Sequence, residues 1–309
     1  MNTETLLIDI GGTNLRAGVG NTSSMSISDI QKIKVDSNKH IFDVLHEINS
    51  KNNYKEIVIS AAGPVTENKI SMTNRNLEIN ASDLEKELNV NECYLLNDWE
   101  SIGYSLPLMT ENDFKTVKKG HLESNQTCLA IGPGTGLGFS VLRHVGNVPY
   151  VYPTELGNAR SFNDYLSNLF EIEHSKNFIV LEDYLSGTGI KKIYAEKSGK
   201  NLTTEEIVSD YLDDDLATYI LNNFVIALNN ILQDLALTFN ARGGIFFAGS
   251  LMRTISEMNS INYIKEEFNK HSSEAHSDIL KNISINLISK EHTPLYGNLN
   301  YSVIRRLHE

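Results

Sequence analysis

The chain has 309 residues, which is long enough for two lobes that each bury a core. Apolar residues make up 40% of it and charged residues 21%, as in an ordinary globular protein. The formal net charge of −12 repels nucleic acid and anionic lipid, so we expect the protein to bind neither.

Cysteine usage and the amino-terminal sequence indicate a reducing, cytoplasmic location. Both cysteines, Cys93 and Cys128, lie in apolar runs without zinc-type spacing, so we expect buried free thiols. No basic or cleavable apolar segment precedes the first predicted strand. The longest apolar helical pattern, residues 216–239, contains several Asn and Gln side chains, which argue against a membrane span.

The first predicted element is a buried strand over residues 6–10 that contains Asp9 and runs into Gly11, Gly12 and Thr13. Such a turn brings backbone N–H groups close to an anion. A carboxylate is costly to bury without a partner such as a cation, so we predict that Asp9 serves a magnesium–phosphate group. The alternative is a plain β-hairpin with a structural carboxylate, because residues 15–19 would return antiparallel.

Strands and helices alternate through the rest of the first third. Helical spacing covers residues 41–49 and 81–88, with Asn80 as the cap of the second helix. Short apolar strands are predicted over residues 57–60 and 94–96. This alternation predicts a sheet flanked by helices.

Asn97 and Asp98 directly follow the strand at residues 94–96. Sheets of α/β proteins place their chemistry at the carboxyl ends of strands, and an Asp there can accept the proton of a substrate hydroxyl. The alternative is that Asp98 caps a helix that starts at Trp99.

The second half begins after a boundary near residues 106–107. A strand over residues 127–131 leads into glycines at positions 132, 134, 136 and 138, a pattern that is neither a Walker A loop nor GxGxxG. Two glycine turns in two halves of the chain suggest two lobes that bind a polyphosphate. The later predicted elements are helices at 165–170, 181–185 and 216–239, strands at 245–247 and 283–288, and a terminal helix at 299–307 that packs on the first lobe.

Two further segments offer groups that can hold vicinal hydroxyls. Glu155 and Asn158 flank a glycine, and Glu182 lies on a predicted helical stretch that ends in glycines. Carboxylates and amides can each bridge two O–H groups. The alternative is a pair of solvated glutamates and a glycine helix stop. The nine histidines show no metal-ligand spacing.

Together these motifs resemble the bacterial glucokinase family of the actin-like, sugar kinase and Hsp70 ATPase superfamily. The resemblance runs from about Leu6 to Arg306 and covers essentially the whole chain. It implies an α/β fold of two ribonuclease H-like lobes around a central cleft, with residues 1–107 plus 294–309 in the small lobe and 108–293 in the large lobe. It rests on the runs DIGGTN (9–14), MTN (72–74), LND (96–98), GPGTGLG (132–138), 182–189 and 243–249.

The resemblance also implies a role for each matching residue. Asp98 would be the catalytic base, and Mg²⁺ would reach Asp9 only indirectly, through Mg-ATP. The residues implied for the sugar are Asn74, Asn97, Asp98, Glu155, Asn158 and Glu182. Those implied for ATP and its phosphates are Asp9, Gly11, Gly12, Thr13, Asn14, Gly134, Thr135, Gly136 and Gly249.

Residues 155–158, here called the acceptor loop, depart from the family pattern. The family has Glu-Gly-Gly-His where this chain has Glu155-Leu156-Gly157-Asn158, and Gly-Gly where this chain has Gly249-Ser250. Leu156 adds bulk and would be strained if its position required a positive φ. Asn158 can still contact a hydroxyl. The phosphate chemistry is intact, whereas the identity of the sugar is open.

The implied activity is transfer of the ATP γ-phosphoryl group to the 6-hydroxyl of glucose, in carbohydrate metabolism and glycolysis. The alternatives are a kinase for another hexose or an amino sugar, and a non-catalytic sugar-binding regulatory pseudokinase. Homodimers are common for such folds, although no interface is recognisable in this sequence.

Overall fold

The computed structural model describes residues 4–72, 75–173 and 177–307. In chain order its strands are β1 (Glu4–Ile10), β2 (Asn14–Asn21), β3 (Ser26–Lys34), β4 (Glu56–Ala61), β5 (Val65–Thr66), β6 (Lys69–Met72), β7 (Leu77–Asn80), β8 (Glu92–Asn97), β9 (Phe114–Lys118), β10 (Cys128–Pro133), β11 (Leu137–Val145), β12 (Val148–Pro153), β13 (Gly244–Phe247) and β14 (Ile285–Ile288).

The helices lie between these strands and after them. They are α1 (Asn38–Asn52), α2 (Ala81–Leu88), α3 (Asp98–Ser105), α4 (Asn163–Phe170), α5 (Gly187–Ser198), α6 (Thr204–Ser209), α7 (Asp215–Phe239), α8 (Ser250–Ile255), α9 (Asn262–Glu267), α10 (Glu274–Asn282) and α11 (Thr293–Ile304). Short 3-10 turns include Leu156–Asn158, Leu181–Asp183 and Arg305–Leu307.

The first of two compact units takes in residues 1–110, 145–153 and 290–309. Its main sheet has the order β3-β2-β1-β4-β8, in which β1 pairs antiparallel with β2 and parallel with β4. Helix α11 packs against α3 and β1, so close to α3 that a Cβ on Gly297 would overlap the Ser101 carbonyl. The helix α11 therefore belongs to this unit, although it lies far from α3 and β1 in the sequence.

The second unit takes in residues 111–144 and 154–289. Its sheet runs β11-β10-β13-β14-β9, with β10, β13 and β14 parallel. The long helix α7 buries one face in an apolar cluster that also includes Ile131 of β10 and Ile190 of α5. A central strand, β10, therefore delivers the second glycine turn from the middle of a packed sheet.

The expected division into two lobes stays a prediction, and the bounds of the two compact units differ from it at residues 108–110, 145–153 and 290–293. Residues 145–153, expected in the second lobe, group with the first unit. The reason is packing: β12 lies against α3, and the backbone at Val151 hydrogen-bonds the Tyr104 hydroxyl.

Two local predictions differ from the structure, and the first is the terminal helix, which was expected over residues 299–307 but spans Thr293–Ile304. Helix α2 covers residues 81–88 with Asn80 as its cap, as predicted. The stretch predicted as helix at 181–185 is only a 3-10 turn, and the following glycines open a helix instead of ending one. Ser186 accepts a hydrogen bond from Gly189 N at 2.8 Å and so acts as the N-cap of α5.

Helix α7 is long and apolar enough to cross a membrane by length and composition alone. However, 61% of its most apolar window is buried inside the protein, and its partners are core side chains of the second unit. Polar side chains occupy its remaining face, where Asn230 donates to the Tyr165 hydroxyl at 2.7 Å. We therefore describe α7 as an amphipathic core helix.

Candidate functional site

The first glycine turn joins β1 and β2 as an antiparallel hairpin. Gly11 N donates to the Asn14 carbonyl at 2.8 Å, and Asn14 Nδ2 donates to the Thr13 hydroxyl at 2.8 Å. Arg75 fixes the turn from outside, because its Nε and Nη2 donate to the Gly12 carbonyl at 3.0 and 2.6 Å. Gly12 and Thr13 are exposed, so the turn presents its backbone to solvent and to any anion there.

Asp9 lies buried at the base of this turn in a polar network. Its Oδ2 accepts from Arg16 Nη1 at 2.8 Å, and its Oδ1 accepts from the Ser60 hydroxyl at 3.2 Å. Asn298 of α11 donates in turn to Ser60 Oγ at 3.2 Å. Burial raises the pKa of Asp9, whereas Arg16 opposes the rise.

Arg16 is the residue that the sequence reasoning missed. It stands directly opposite Asp9 across the hairpin, and its side chain is 36% exposed. The signal was available, because residues 9 and 16 lie equally far from a turn centred between Gly12 and Thr13. An antiparallel hairpin therefore pairs them.

The side chains around Asp9 fit Mg²⁺ only if the phosphates of a bound nucleotide supply most of its oxygen ligands. Among the described residues, no group of three or more His, Cys, Asp and Glu side chains could hold a metal. Asp9 is a single carboxylate, and both of its oxygens already accept hydrogen bonds. Mg²⁺ commonly uses one or two carboxylates together with substrate phosphates, so an indirect role for Asp9 stays a prediction.

Asn97 and Asp98 lie at the carboxyl end of β8, where α3 begins. The cap of α3 is Asn97, whose Oδ1 accepts from Trp99 N at 2.9 Å and whose Nδ2 donates to the Gly63 carbonyl at 3.0 Å. The alternative in which Asp98 caps a helix starting at Trp99 is therefore wrong, because Asp98 is itself the first helical residue. Its half-buried carboxylate accepts from Trp99 N at 3.0 Å.

Glu100 completes this helix start from the third helical position. Its Oε2 accepts from Asn97 N at 3.3 Å, which makes a reciprocal capping box with Asn97. Burial raises the pKa of Glu100 from its ordinary 4.5 to about 7, while the hydrogen bond from the Asn97 backbone opposes the rise. A carboxylate with a raised pKa thus lies two residues from Asp98.

We expect the Glu100→Gln substitution to stabilise the protein more at pH 8 than at pH 5. The unfolded carboxyl ionises near 4.5 and the folded one only near 7, so ionisation lowers the stability of the native chain progressively across that window. Gln keeps the acceptor of the capping box but carries no charge. Urea unfolding at several pH values measures the difference.

The matched control is Asp83→Asn, because Asp83 occupies the same helical position in α2 but is exposed. A Glu100→Gln variant whose stability relative to the unmodified chain does not change between pH 5 and 8 would contradict the shifted pKa.

In the second unit, the turn after β10 borders a cavity of about 490 Å³. Gly134 N donates to the Gly136 carbonyl at 2.8 Å, and the Gly134 carbonyl accepts from Gly187 N at 2.7 Å. The first residues of α5, α6 and α8 also line the cavity, together with Lys191. Lys191 and the positive ends of the helices that begin at this cavity favour an anionic ligand, and Glu205 is the acidic residue of the lining.

The backbone of Gly249, predicted to lie on the adenosine side, has a conformation that only glycine adopts readily. Its φ of 102° disfavours a side chain, and a Cβ there would contact the Pro133 carbonyl at 3.7 Å. The neighbouring Ser250 opens α8 and lines the same cavity as Gly134 and Thr135. Within the described part of the chain, no atom would lie within 4 Å of a Cβ on Gly134, so a group has open space to approach that backbone.

The acceptor loop is a 3-10 turn in which Asn158 Nδ2 donates to Glu155 Oε2 at 3.2 Å. Both of these side chains are exposed. Leu156 has no positive φ, so the expected backbone strain is absent at this residue. Its side chain is half-buried and packs on the apolar core of the second unit.

Glu182 connects the acceptor loop with the second glycine turn. Its Oε2 accepts from Leu137 N at 3.1 Å, and Cβ atoms on Gly136 and Gly157 would lie 2.6 and 2.9 Å from that oxygen. The structure therefore groups Glu155, Asn158 and Glu182 beside Gly136 within one unit. Asn74 lies outside the described residues.

Comparison with known proteins identifies what this arrangement is similar to. A family model described as Glucokinase matches residues 6–303. The glucokinase of Saccharophagus degradans is 26% identical over 316 aligned residues, which cover 94% of this chain and 96% of that protein.

Two solved structures share the fold over nearly the whole chain. A glucokinase from an Antarctic psychrotroph superposes with a TM-score of 0.78 at 21% identity, covering 99% of this chain and all of that one. The glucokinase of Balamuthia mandrillaris, solved in complex with glucose, superposes with a TM-score of 0.74 at 19% identity, covering 98% and 94%. These similarities confirm the predicted α/β, actin-like ATPase fold of sugar kinases.

Proposed function

We propose, because the chain belongs to the glucokinase family, that it transfers the γ-phosphoryl group of ATP to the 6-hydroxyl of glucose. The observation that carries the proposal is the presence of both glycine turns and of Asp98 in family order over residues 6–303. The finer assignments of sugar, cofactor and residue roles below are part of the proposal.

Asp98 is the proposed base. Its place at the first position of α3 leaves capping to Asn97, so the Asp98 carboxylate is not needed as the helix cap. A carboxylate that is bonded to its own helix start keeps a fixed orientation. It would orient the acceptor hydroxyl and take its proton as the new P–O bond forms.

ATP is the proposed phosphoryl donor, and Gly134 and Thr135 of the second glycine turn line the cavity of the second unit. Thr135 and Gly136 would bind phosphate through backbone N–H groups, while Gly134, whose own N–H is bonded to the Gly136 carbonyl, leaves phosphate open space. Gly249 would lie at the adenosine. Gly11, Gly12, Thr13 and Asn14 offer a second such turn. Mg²⁺ would neutralise phosphate charge, with Asp9 as the carboxylate that the chain offers.

The proposed sugar contacts combine fixed carboxylates and amides. Glu155 and Asn158 present exposed polar groups from one turn, and Glu182 keeps Oε1 for a hydroxyl while Oε2 is bonded to Leu137 N. Asn97 and Asn74 complete the set that the family resemblance implies. A lost hydroxyl contact costs on the order of 1–3 kcal/mol, so Asn158 of the Leu156-Gly157-Asn158 sequence can shift sugar preference.

The test is sugar-dependent ADP release over a panel of hexoses and amino sugars. We expect glucose to stimulate release well above the sugar-free rate. If another sugar exceeds glucose by more than tenfold, only the substrate assignment is wrong. If sugar binds calorimetrically but no sugar stimulates release, the protein is the regulatory pseudokinase considered from the sequence.

We further propose a cytoplasmic homodimer that acts in glycolysis without nucleic acid or membrane partners. The support for a reducing compartment is that Cys93 and Cys128 are both free thiols. The acidic net charge supports the absence of nucleic acid partners.

A further inference from the structure

Glu182 of the second unit takes part in two segments of the proposed site. It is proposed above as a sugar contact, and its Oε2 accepts a hydrogen bond from Leu137 N at the end of the second glycine turn. Glu155, the other carboxylate proposed for the sugar, has Asn158 of its own loop as its side-chain partner and is exposed.

The segment that carries Glu182 holds the glycine turn at two points. The Glu182 carboxylate binds the Leu137 end, and Gly187 N donates to the Gly134 carbonyl at 2.7 Å at the other end. Between them, Ser186 Oγ donates to the Glu182 carbonyl at 2.6 Å and caps α5. The turn from Gly134 to Leu137 is thus fixed by one short, well-bonded stretch of chain.

The backbone around the carboxylate leaves it little freedom. A Cβ on Gly136 would approach Glu182 Oε2 to 2.6 Å, and a Cβ on Gly157 would approach it to 2.9 Å. Both distances are shorter than a normal contact, so the two glycines make room for this carboxylate from opposite segments. Gly157 lies in the acceptor loop and Gly136 in the nucleotide turn.

We propose that Glu182 is a positioning residue for the nucleotide turn, and that through it occupation of the acceptor loop changes affinity for the nucleotide. The inference rests on the proposed function. A sugar hydroxyl bonded to Glu182 Oε1 would restrain the same carboxylate whose Oε2 holds Leu137 N. Sugar in the acceptor loop and nucleotide at the glycine turn would therefore favour the same position of the Glu182 carboxylate. Such coupling is reciprocal between the two ligands.

The test measures nucleotide affinity in the absence of sugar, where a group that only binds sugar has no effect. ADP with Mg²⁺ is titrated calorimetrically into the full chain and into Glu182→Ala, Glu182→Gln and Glu155→Ala. We expect Glu182→Ala to weaken binding by about tenfold or more, because Leu137 N loses a charged acceptor. Glu182→Gln keeps an acceptor and should stay within about threefold.

Glu155→Ala is the matched control, since it removes a proposed sugar carboxylate that is not bonded to the turn. Its ADP affinity should equal that of the unmodified chain. Gly157→Ala is a second variant that leaves Glu182 in place but crowds both its carboxylate and the Leu137 carbonyl, which a Cβ would approach to 2.9 and 2.8 Å. We expect it to weaken ADP binding although it lies in the acceptor loop.

Unchanged ADP affinity in folded Glu182→Ala and Gly157→Ala would overturn the inference and leave the proposed function standing. An unmodified chain that binds no ADP would instead contradict the proposed function, and the inference with it. Amide hydrogen exchange at Leu137 gives an independent readout. Exchange should accelerate in Glu182→Ala and remain slow in Glu182→Gln.

Discussion

Replacing Asp98 with Asn is expected to lower kcat for sugar-dependent ADP release by about 10²–10⁴-fold, the usual contribution of a positioned base. Asn has nearly the same shape and can still accept from Trp99 N, so the start of α3 should be retained. The expected loss therefore concerns proton transfer, and the melting temperature should stay within about 2 °C of that of the unmodified chain.

Steady-state kinetics and thermal unfolding together check this expectation. Asp43→Asn is a suitable control, because Asp43 is an exposed carboxylate on α1 of the same unit. The control should keep full activity. If Asp98→Asn retains more than about a tenth of kcat, another group takes the proton and the assignment of the base is wrong.

The largest expected effect on stability belongs to Arg305, just after α11. Its buried guanidinium pairs with Glu56 at 3.0 Å and with Glu92, and it stacks 3.9 Å above the ring of Tyr94. Removing one partner of a buried ion pair typically costs about 3–5 kcal/mol. Because Arg306 also pairs with Glu56 at 3.1 Å, we expect Arg305→Met to lower the free energy of unfolding by an amount near the lower end of that range.

Urea unfolding of Arg305→Met measures the loss. Arg253→Met is the matched control, because Arg253 is an exposed residue of α8, and it should change stability by less than about 0.5 kcal/mol. A double variant, Arg305→Met with Glu56→Leu, should recover part of the loss, because it also removes the buried carboxylate. A single Arg305→Met variant as stable as the control would show that the ion pair does not anchor the carboxyl terminus.

Local sequence signals predicted the elements that present the site. The apolar runs before Gly11 and Gly132 were predicted as buried strands and are β1 and β10, and Asn80 placed the start of α2 correctly. Asn97-Asp98 followed a predicted strand and does lie at its carboxyl end. Such features depend on residues within one turn or strand, which is why the sequence reveals them.

Other features depend on partners far away in the chain. The Arg305–Glu56 pair joins residues 249 positions apart, and the contact of Glu182 with Leu137 N joins residues 45 positions apart. Neither leaves a periodic pattern. The glycines at 187 and 189 were ambiguous for a different reason, because glycine occurs at both ends of helices and only the capping bond of Ser186 decides between them.

The acceptor loop shows how structure changes a conclusion drawn from residue identity. Leu156 looked like extra bulk at the sugar, yet its side chain packs on the apolar core of the second unit. The exposed groups of that loop are Glu155 and Asn158. Any change in sugar preference is therefore expected to come from Asn158, which replaces an imidazole with a shorter, uncharged amide.

The most direct test of the central claim is ³¹P NMR of the full chain incubated with glucose, ATP and Mg²⁺. Phosphoryl transfer predicts that a sugar-phosphate monoester resonance, at the position of glucose 6-phosphate, grows in step with ADP. ADP that accumulates with inorganic phosphate alone, or ATP that persists unchanged with every hexose supplied, would contradict it.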